Sequence, residues 1–194
     1  MARFMMRRFG SVLPRPRVLD LGCGAGAQTL WLAMNSFVVD AVDASPAAVK
    51  RAKELVNRWV PFNGALFHVA DARHLPFGDG IFDAVVDVCT IQHVVDDQEK
   101  AVAEAFRALK PGGWLFSMMA STDHSITAFG GMSAKAHGGS SIDSLFRRYS
   151  NCHIIASASE WRFIEEYQRS ARAMMIAHWI VEAQKEESCS TVRK

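Results

Sequence analysis

The sequence predicts an α/β fold in which a mostly parallel sheet lies between helices, and three observations support this prediction. Short apolar runs alternate with amphipathic stretches along the chain, as in a parallel sheet covered by helices. The chain has 194 residues, 49% of them apolar, which suits a single domain with a substantial core. A glycine-rich turn follows the first apolar run and leads into a helical stretch.

The strands are predicted from apolar runs bounded by turn residues. Five of them are expected at Arg17–Leu21, Phe37–Val42, Ala65–Val69, Phe82–Cys89 and Trp114–Met119. Two further β-rich runs close the chain, at Cys152–Phe163 and Ala171–Ala183.

The helices are predicted from caps and from apolar spacing. The first follows the glycines at about Ala27–Met34, and the second starts at the Ser45-Pro46 cap and runs to about Trp59. A third begins at Asp96 with Glu99 completing a capping box, and Pro111-Gly112-Gly113 ends it. A fourth is expected at about Ile142–Ser150.

The net charge and the spacing of the cysteines indicate which partners and metal sites to expect. The net charge of +2 gives no global reason to expect a nucleic-acid partner. The cysteines are far apart and match no zinc pattern, so we expect free thiols, a cytoplasmic location and no metal site; they are Cys23, Cys89, Cys152 and Cys189. No apolar run reaches the roughly 20 residues that a membrane span needs. Oligomeric state is left open.

The domain itself is expected over residues 18–187, followed by a flexible tail at 188–194. The first 17 residues carry five arginines and no acid, and three interpretations stay open: a short helix with a linker, a transit peptide, or a basic membrane-surface segment. The stretch Ser121–Ser141 contains four glycines and many small polar residues, which predicts a long functional loop serving as lid or substrate loop.

The glycine turn Gly22-Cys23-Gly24-Ala25-Gly26 predicts a nucleotide site. Glycine permits a positive φ and a close approach of backbone to ligand, and the next helix offers amides to an anion. The third glycine comes one residue too early for a dinucleotide fingerprint, which disfavours NAD. Asp43, 21 residues after Gly22, ends the second strand and is placed to bind both hydroxyls of a ribose. Asp71 follows the third strand on the same edge.

Four segments in this order carry a family resemblance. VLDLGCGAG, VDAVDASPAAVKRAKE, DARHLPFGDGIFDAVV and EAFRALKPGGWLF resemble motifs of the class I S-adenosylmethionine-dependent methyltransferases, of the small-molecule type similar to ubiquinone- and menaquinone-biosynthesis methyltransferases. The match spans about Val18–Phe116, and SARAMMIAHWIVEAQK resembles the family's final strand. The resemblance implies a Rossmann-like three-layer sandwich with a seven-stranded sheet of order 3-2-1-4-5-7-6, its last strand antiparallel.

The resemblance also implies a role for each matching residue toward S-adenosyl-L-methionine, whose product is S-adenosyl-L-homocysteine. The methionine part would lie against Asp20, Gly22, Cys23 and Gly24. Asp43 would hold the ribose, with Ala44 and Ser45 flanking the adenine. The adenine amine would face Asp71, beside the backbone of Ala72, and the sulfonium would lie near Cys89 and Thr90.

Two features depart from the family pattern: the chain before the first strand is short, and the segment after the fifth strand, where such enzymes often bind their substrates, matches no family motif. Only 17 residues precede the first strand, where the family has helices that cap the cofactor, so we expect either a short cap or the Ser121–Ser141 loop in that role.

His93, a few residues after the fourth strand, is the candidate base for methyl transfer, and a packing or capping role is its alternative.

Three functions stay open at this point. The first is a methyltransferase acting on a small molecule through oxygen or nitrogen. The second is a protein or RNA methyltransferase, which the arginine-rich start favours. The third is a non-catalytic S-adenosylmethionine-binding subunit or an NAD-type enzyme, and the early third glycine disfavours NAD.

Overall fold

The computed structural model describes residues 1–12, 14–61, 64–120, 139–146, 152–164 and 171–186. Its strands are β1 Arg17–Leu21, β2 Val38–Asp43, β3 Leu66–Val69, β4 Phe82–Val88, β5 Leu109–Ala120, β6 Cys152–Ile164 and β7 Ala171–Gln184. Its helices are α1 Ala2–Phe9, α2 Ala27–Met34, α3 Pro46–Trp59, α4 Gln98–Ala108 and α5 Gly139–Phe146, and a 3₁₀ turn covers Ile91–His93.

The strands form one sheet of order β3-β2-β1-β4-β5-β7-β6, which confirms the predicted order. Strands β1 to β5 pair in parallel, whereas β7 runs antiparallel to both β5 and β6. The order reverses at β1, which lies between β2 and β4. Open α/β sheets bind ligands at such a reversal, beyond the carboxyl ends of the strands.

Alternation of side chains along β1 separates two cores, one on each face of the sheet. Val18 packs with residues of α1 and α2 on one face. Leu19 and Leu21 pack with residues of α4 and α5 on the other face. The two faces thus give the predicted three layers, with the sheet in the middle.

The arginine-rich start of the chain folds as α1 and packs on the sheet. Phe4 and Met5 are buried, and the Phe4 ring lies 5.3 Å from that of Phe116. The guanidinium of Arg8 lies 3.7 Å from the centroid of the Trp114 ring, a cation–π contact. This is the short helix among the three interpretations of the segment.

The second predicted helix start is confirmed and the third is wrong. Ser45 caps α3 by accepting a hydrogen bond from the Ala48 N–H at 3.3 Å, with Pro46 in the first turn. Helix α4 instead starts at Gln98, and its N-cap Asp97 makes no side-chain capping bond. Gln98 donates from Nε2 to the Ile91 carbonyl at 3.1 Å, and this contact anchors the first turn of the helix.

Helix α4 also supports the connection from β3 to β4. Arg107 donates from Nη1 to the carbonyl of Phe77 and to Asp79, both at 2.8 Å. Glu104 accepts a bond from the Leu75 N–H at 2.8 Å and pairs with Arg107. These bonds hold the end of that connection against the helix.

Strand β5 begins at Leu109, before the predicted Trp114, because Leu109 pairs with Phe82 ahead of a register shift. The predicted helix Ile142–Ser150 is described as α5 up to Phe146. Of the expected lid, residues 121–138 lie outside the described residues, as does the expected tail at 188–194. Among the described residues, no helix has the length and apolar character to cross a membrane.

Candidate functional site

A cavity of about 830 Å³ opens at the carboxyl ends of β1 to β4, within the size range of small-molecule sites. Ten of the predicted site residues line it: Gly22, Gly24, Asp43, Ala44, Ser45, Asp71, Ala72, Cys89, Thr90 and His93. The lining also includes Arg73, Val94, Val95 and Asp96, which were not predicted as site residues from the sequence.

The glycine turn is held against β2 by its backbone. The N–H groups of Gly22 and Cys23 both donate to the Val42 carbonyl, at 2.7 and 2.9 Å. Gly22 has φ +73°, and a Cβ there would lie 1.9 Å from Thr90 Oγ1. Gly24 also has a positive φ, +52°, but a Cβ there would meet no atom within 4 Å. The glycine turn therefore packs against Thr90, in the turn after β4, at Gly22 and leaves open space at Gly24.

Asp43 joins this turn to the start of α3. Its Oδ2 accepts a hydrogen bond from the Gly24 N–H at 2.9 Å, and its Oδ1 accepts one from the Ser45 N–H at 2.8 Å. Each carboxylate oxygen has room for a second donor. Asp43 also lines the cavity, so its carboxylate is both fixed in place and able to bind a pair of hydroxyl groups.

Asp71 forms an ion pair with a residue two positions further along. Arg73 donates to both carboxylate oxygens through its guanidinium, with the shortest contact 2.6 Å from Nη2 to Oδ2. Both side chains are 39% exposed. Hydrogen bonds from Arg73 lower the pKa of Asp71 to about 2, so this carboxylate is charged throughout the neutral range.

The turn after β4 depends on a buried carboxylate, Asp87. Its Oδ1 accepts bonds from the N–H groups of Thr90 at 2.8 Å and Ile91 at 3.1 Å, and its Oδ2 accepts one from the Ser117 hydroxyl. Burial raises the pKa of Asp87 to about 6. The turn it holds contains Cys89, whose φ of +64° is unusual for a side-chain-bearing residue.

Two predicted site residues are not among those that line the cavity. Asp20 is buried and accepts a bond from the Thr29 hydroxyl on α2, and burial raises its pKa to about 6. Cys23 is buried against Ala41 and Ala52, and burial raises its thiol pKa to about 12. Both residues lie within the body of the domain, next to the glycine turn.

His93 lies at the end of the 3₁₀ turn and is half-buried on the cavity wall. Its N–H donates to the Thr90 carbonyl at 2.9 Å, so the turn that contains Thr90 also positions the imidazole. The nearby Cys89 thiol has its pKa raised to about 12 by burial, so it is a neutral thiol at physiological pH.

Sequence reasoning missed two residues that shape the cavity. Arg73 carried a signal, because an arginine two residues after a loop carboxylate can pair with it. Asp87 lies in the apolar run FDAVVDVC, where a carboxylate needs partners that the local sequence does not name. Among the described residues, no group of three or more His, Cys, Asp or Glu could hold a metal ion.

The chain matches a family model described as "Methyltransferase domain" over residues 19–117, just over half of its length. It is 44% identical over 105 residues to the 2-methyl-6-phytyl-1,4-hydroquinone methyltransferase of Synechocystis, covering 53% of this chain and 31% of that protein. It is 36% identical over 115 residues to the malonyl-[acyl-carrier protein] O-methyltransferase of Geobacter sulfurreducens, covering 58% and 42%. The matched segment thus spans less than half the length of either relative.

A solved structure shares the fold. The 1,6-didemethyltoxoflavin-N1-methyltransferase of Burkholderia thailandensis, determined with 1,6-didemethyltoxoflavin and S-adenosylhomocysteine bound, superposes with a TM-score of 0.68. The superposition covers 96% of this chain and 76% of that one, at 18% identity.

Proposed function

This chain belongs to the methyltransferase-domain family, the class I S-adenosylmethionine-dependent methyltransferases, and on that premise we propose that it methylates a small molecule. One observation carries the proposal. The carboxylate of Asp43 and the glycine turn are bonded to each other at 2.9 Å on the wall of an 830 Å³ cavity. A fixed carboxylate beside an open glycine turn suits a ribose and the chain attached to it.

When bound, S-adenosylmethionine supplies a methyl group already activated on sulfur. The transfer is an in-line displacement, so the main contribution of the chain is to orient the two reactants, worth roughly 7–11 kcal/mol when orientation is good. Asp43, Gly22 and Gly24 hold the cofactor in this proposal. Cys89 and Thr90 form the wall nearest the reacting carbon.

The proposed acceptor atom is oxygen or nitrogen, and His93 is the proposed base. A hydroxyl or amine loses a proton as it attacks, and an imidazole at the cavity wall is placed to take it. The name of one relative, a phytyl-hydroquinone methyltransferase, supports a small acceptor bearing hydroxyl groups. We place this activity in the cytoplasm, supported by the free thiols of Cys23 and Cys89.

Calorimetric titration of the purified chain with S-adenosylhomocysteine, with NAD as control, tests the cofactor. We expect micromolar binding of S-adenosylhomocysteine alone. Asp43→Ala is expected to weaken this binding at least about 100-fold, because two charged hydrogen bonds to the ribose are lost. Glu54→Ala, an exposed acid of α3 that does not line the cavity, is the matched control. Unchanged affinity in Asp43→Ala excludes this site.

His93 is tested by turnover with radiolabelled S-adenosylmethionine and a panel of hydroquinones and alcohols. We expect His93→Ala to lower kcat by about 10²–10⁴-fold, with cofactor affinity nearly unchanged. Equal turnover in the variant excludes His93 as the base. Cofactor binding without turnover on any acceptor favours a protein or RNA substrate, or a non-catalytic subunit.

A further inference from the structure

Exposed apolar side chains collect at the end of the sheet opposite the cavity. Of the eight large apolar side chains that are exposed among the described residues, four lie at the amino ends of β2 and β3, and each is more than half exposed: Met34, Val38, Trp59 and Leu66. Met34 ends α2 and Trp59 ends α3, the helices that lead back to the starts of these strands. The cavity lies at the carboxyl ends of the same strands, and none of the four lines it.

Strand pairing and helix packing bring these four side chains together. Val38 starts β2, and Leu66 starts β3 opposite Asp40, two residues further along β2. Side chains two residues apart on a strand point to the same face, so Val38 and Leu66 are close neighbours. Met34 precedes Val38 by four residues, and Trp59 ends the helix that packs beside α2. We call these four residues the amino-end surface.

The segments around the amino-end surface are strongly basic. Helices α1, α2 and α3 cover the face of the sheet opposite α4 and α5. With the connections that lead to β1, β2 and β3 they comprise residues 1–17, 27–38 and 46–66. These segments contain nine of the 22 basic residues of the chain and one of its 20 acidic residues, Glu54. The rest of the chain is therefore net negative, and the positive charge is confined to this side.

Two arginines lie next to the amino-end surface itself. Arg58 directly precedes Trp59 in the last turn of α3. Arg15 precedes Pro16, whose carbonyl accepts a hydrogen bond from the Val38 N–H at 3.1 Å. Both arginine side chains are exposed, so their charge acts on any surface that approaches this end of the domain.

An anionic lipid bilayer fits this combination of charge and apolar side chains better than other partners do. An arginine beside anionic headgroups strengthens binding about fivefold, and tryptophan favours the interface between headgroups and hydrocarbon. A second copy of the chain would place one basic side against the other, because a twofold contact pairs a surface with itself. A nucleic acid would pair with the arginines and leave the apolar side chains without a partner.

We propose that the amino-end surface docks this domain on an anionic lipid bilayer. Trp59 and Met34 enter the headgroup layer, and Arg15 and Arg58 contact the lipid phosphates. This orientation turns the carboxyl ends of the strands, and the cavity with them, away from the bilayer and toward water. The docking is independent of the proposed methyl transfer, since no residue of the amino-end surface lines the cavity.

The first test measures co-sedimentation with vesicles of phosphatidylcholine, with and without about 30% phosphatidylglycerol. We expect wild type to bind the anionic vesicles at least about tenfold more tightly, and to lose most of this binding in about 0.5 M salt. Arg58→Glu reverses a charge at the surface and should weaken binding about tenfold or more. Lys100→Glu, a matched reversal of an exposed base on α4, should change it less than about twofold, because the effect of a charge fades within a Debye length.

Trp59 provides a readout specific to its position, because it is the only exposed tryptophan among the described residues. Brominated lipids quench the fluorescence of a tryptophan that contacts them. We expect such vesicles to quench wild type on binding and to leave Trp59→Phe, which still binds, nearly unquenched. Titration with S-adenosylhomocysteine should be unchanged in Trp59→Phe and Arg58→Glu, and a thermal melt checks that each variant is folded.

Absence of binding to anionic vesicles overturns the proposal, and so does binding that Arg58→Glu leaves unchanged or that leaves Trp59 unquenched. A dimer in sedimentation velocity that Trp59→Asp dissociates would identify a second copy as the occupant. Tighter binding to RNA than to vesicles would identify a nucleic acid. Either outcome overturns the proposal as well. Vesicle binding and S-adenosylhomocysteine binding are separate readouts, so this proposal and the proposed function fail independently.

Discussion

The turns after β3 and β4 are both organised by an aspartate, in opposite environments. Asp71 is 39% exposed, is bound by a guanidinium, and has its pKa lowered to about 2. Asp87 is fully buried, is bound by two backbone N–H groups and a hydroxyl, and has its pKa raised to about 6. An exposed acid is held charged by its partner, whereas a buried one stabilises the backbone around it at a cost to its own ionisation.

The largest expected effect is a difference in the free energy of unfolding between variants of these two aspartates. Asp87→Ala leaves the N–H groups of Thr90 and Ile91 without their acceptor next to the core, and we expect the free energy of unfolding to fall by about 3–5 kcal/mol. Asp71→Ala breaks an exposed ion pair and should cost under about 1 kcal/mol. Urea denaturation at pH 7 measures both. Equal losses in the two variants would contradict the comparison.

A somewhat smaller effect is expected where the glycine turn touches the turn after β4. Gly22→Ala puts a Cβ 1.9 Å from Thr90 Oγ1 at a positive φ, so we expect a loss of about 3 kcal/mol. Gly24→Ala has a positive φ but no neighbour within 4 Å, and should lose about 1 kcal/mol. Thermal and urea unfolding of the pair check this, and the reverse ranking would show that the turn relaxes around Gly22.

The smallest expected effect concerns pH. Because the native pKa of Asp87 is raised from 3.8 to about 6, the native state holds a proton that the unfolded state has lost, and stability falls as pH rises between these values. Asp87→Asn keeps an acceptor for Thr90 and Ile91 but does not titrate. Between pH 4.5 and 7 we expect the unfolding free energy of wild type to fall by about 2 kcal/mol more than that of the variant.

The charge of Asp87 is one of the causes that raise the pKa of Asp20, after burial, so Asp87→Asn lowers the Asp20 pKa and adds to the difference in the same direction. Asp71 contributes the other way, since its lowered pKa gives stability that is lost only below about pH 4. Parallel pH profiles for wild type and Asp87→Asn would show that Asp87 ionises normally.

Sequence signals close to each element were sufficient to predict most of the helices and strands. The glycine turn and the Ser45-Pro46 cap fixed β1, α2 and α3 closely, because each signal lies within a few residues of the element it bounds. The start of α4 was mispredicted because Gln98 is anchored by the Ile91 carbonyl, a contact between two elements. Backbone pattern alone does not report such contacts.

Site residues could be predicted where the order of the strands alone determines their position. They could not be predicted where a side chain depends on a partner from another strand. Asp43 follows from its position at the end of β2, beside the turn after β1. Asp87 needs Ser117 on β5, thirty residues away, and that pairing depends on the register of two strands. Arg73 pairs with Asp71, two residues before it, but the family motif assigns a role to the acid and none to the arginine.

Helix α4 supports two segments next to the cavity, the connection after β3 and the turn after β4. Through Glu104 and Arg107 it holds the connection after β3, and through Gln98 it holds the 3₁₀ turn after β4. The two segments are therefore one cooperative unit, in which loosening the helix releases both. Amide hydrogens at Leu75, in the connection after β3, and at Thr90, in the turn after β4, should exchange with solvent deuterium through the same opening event.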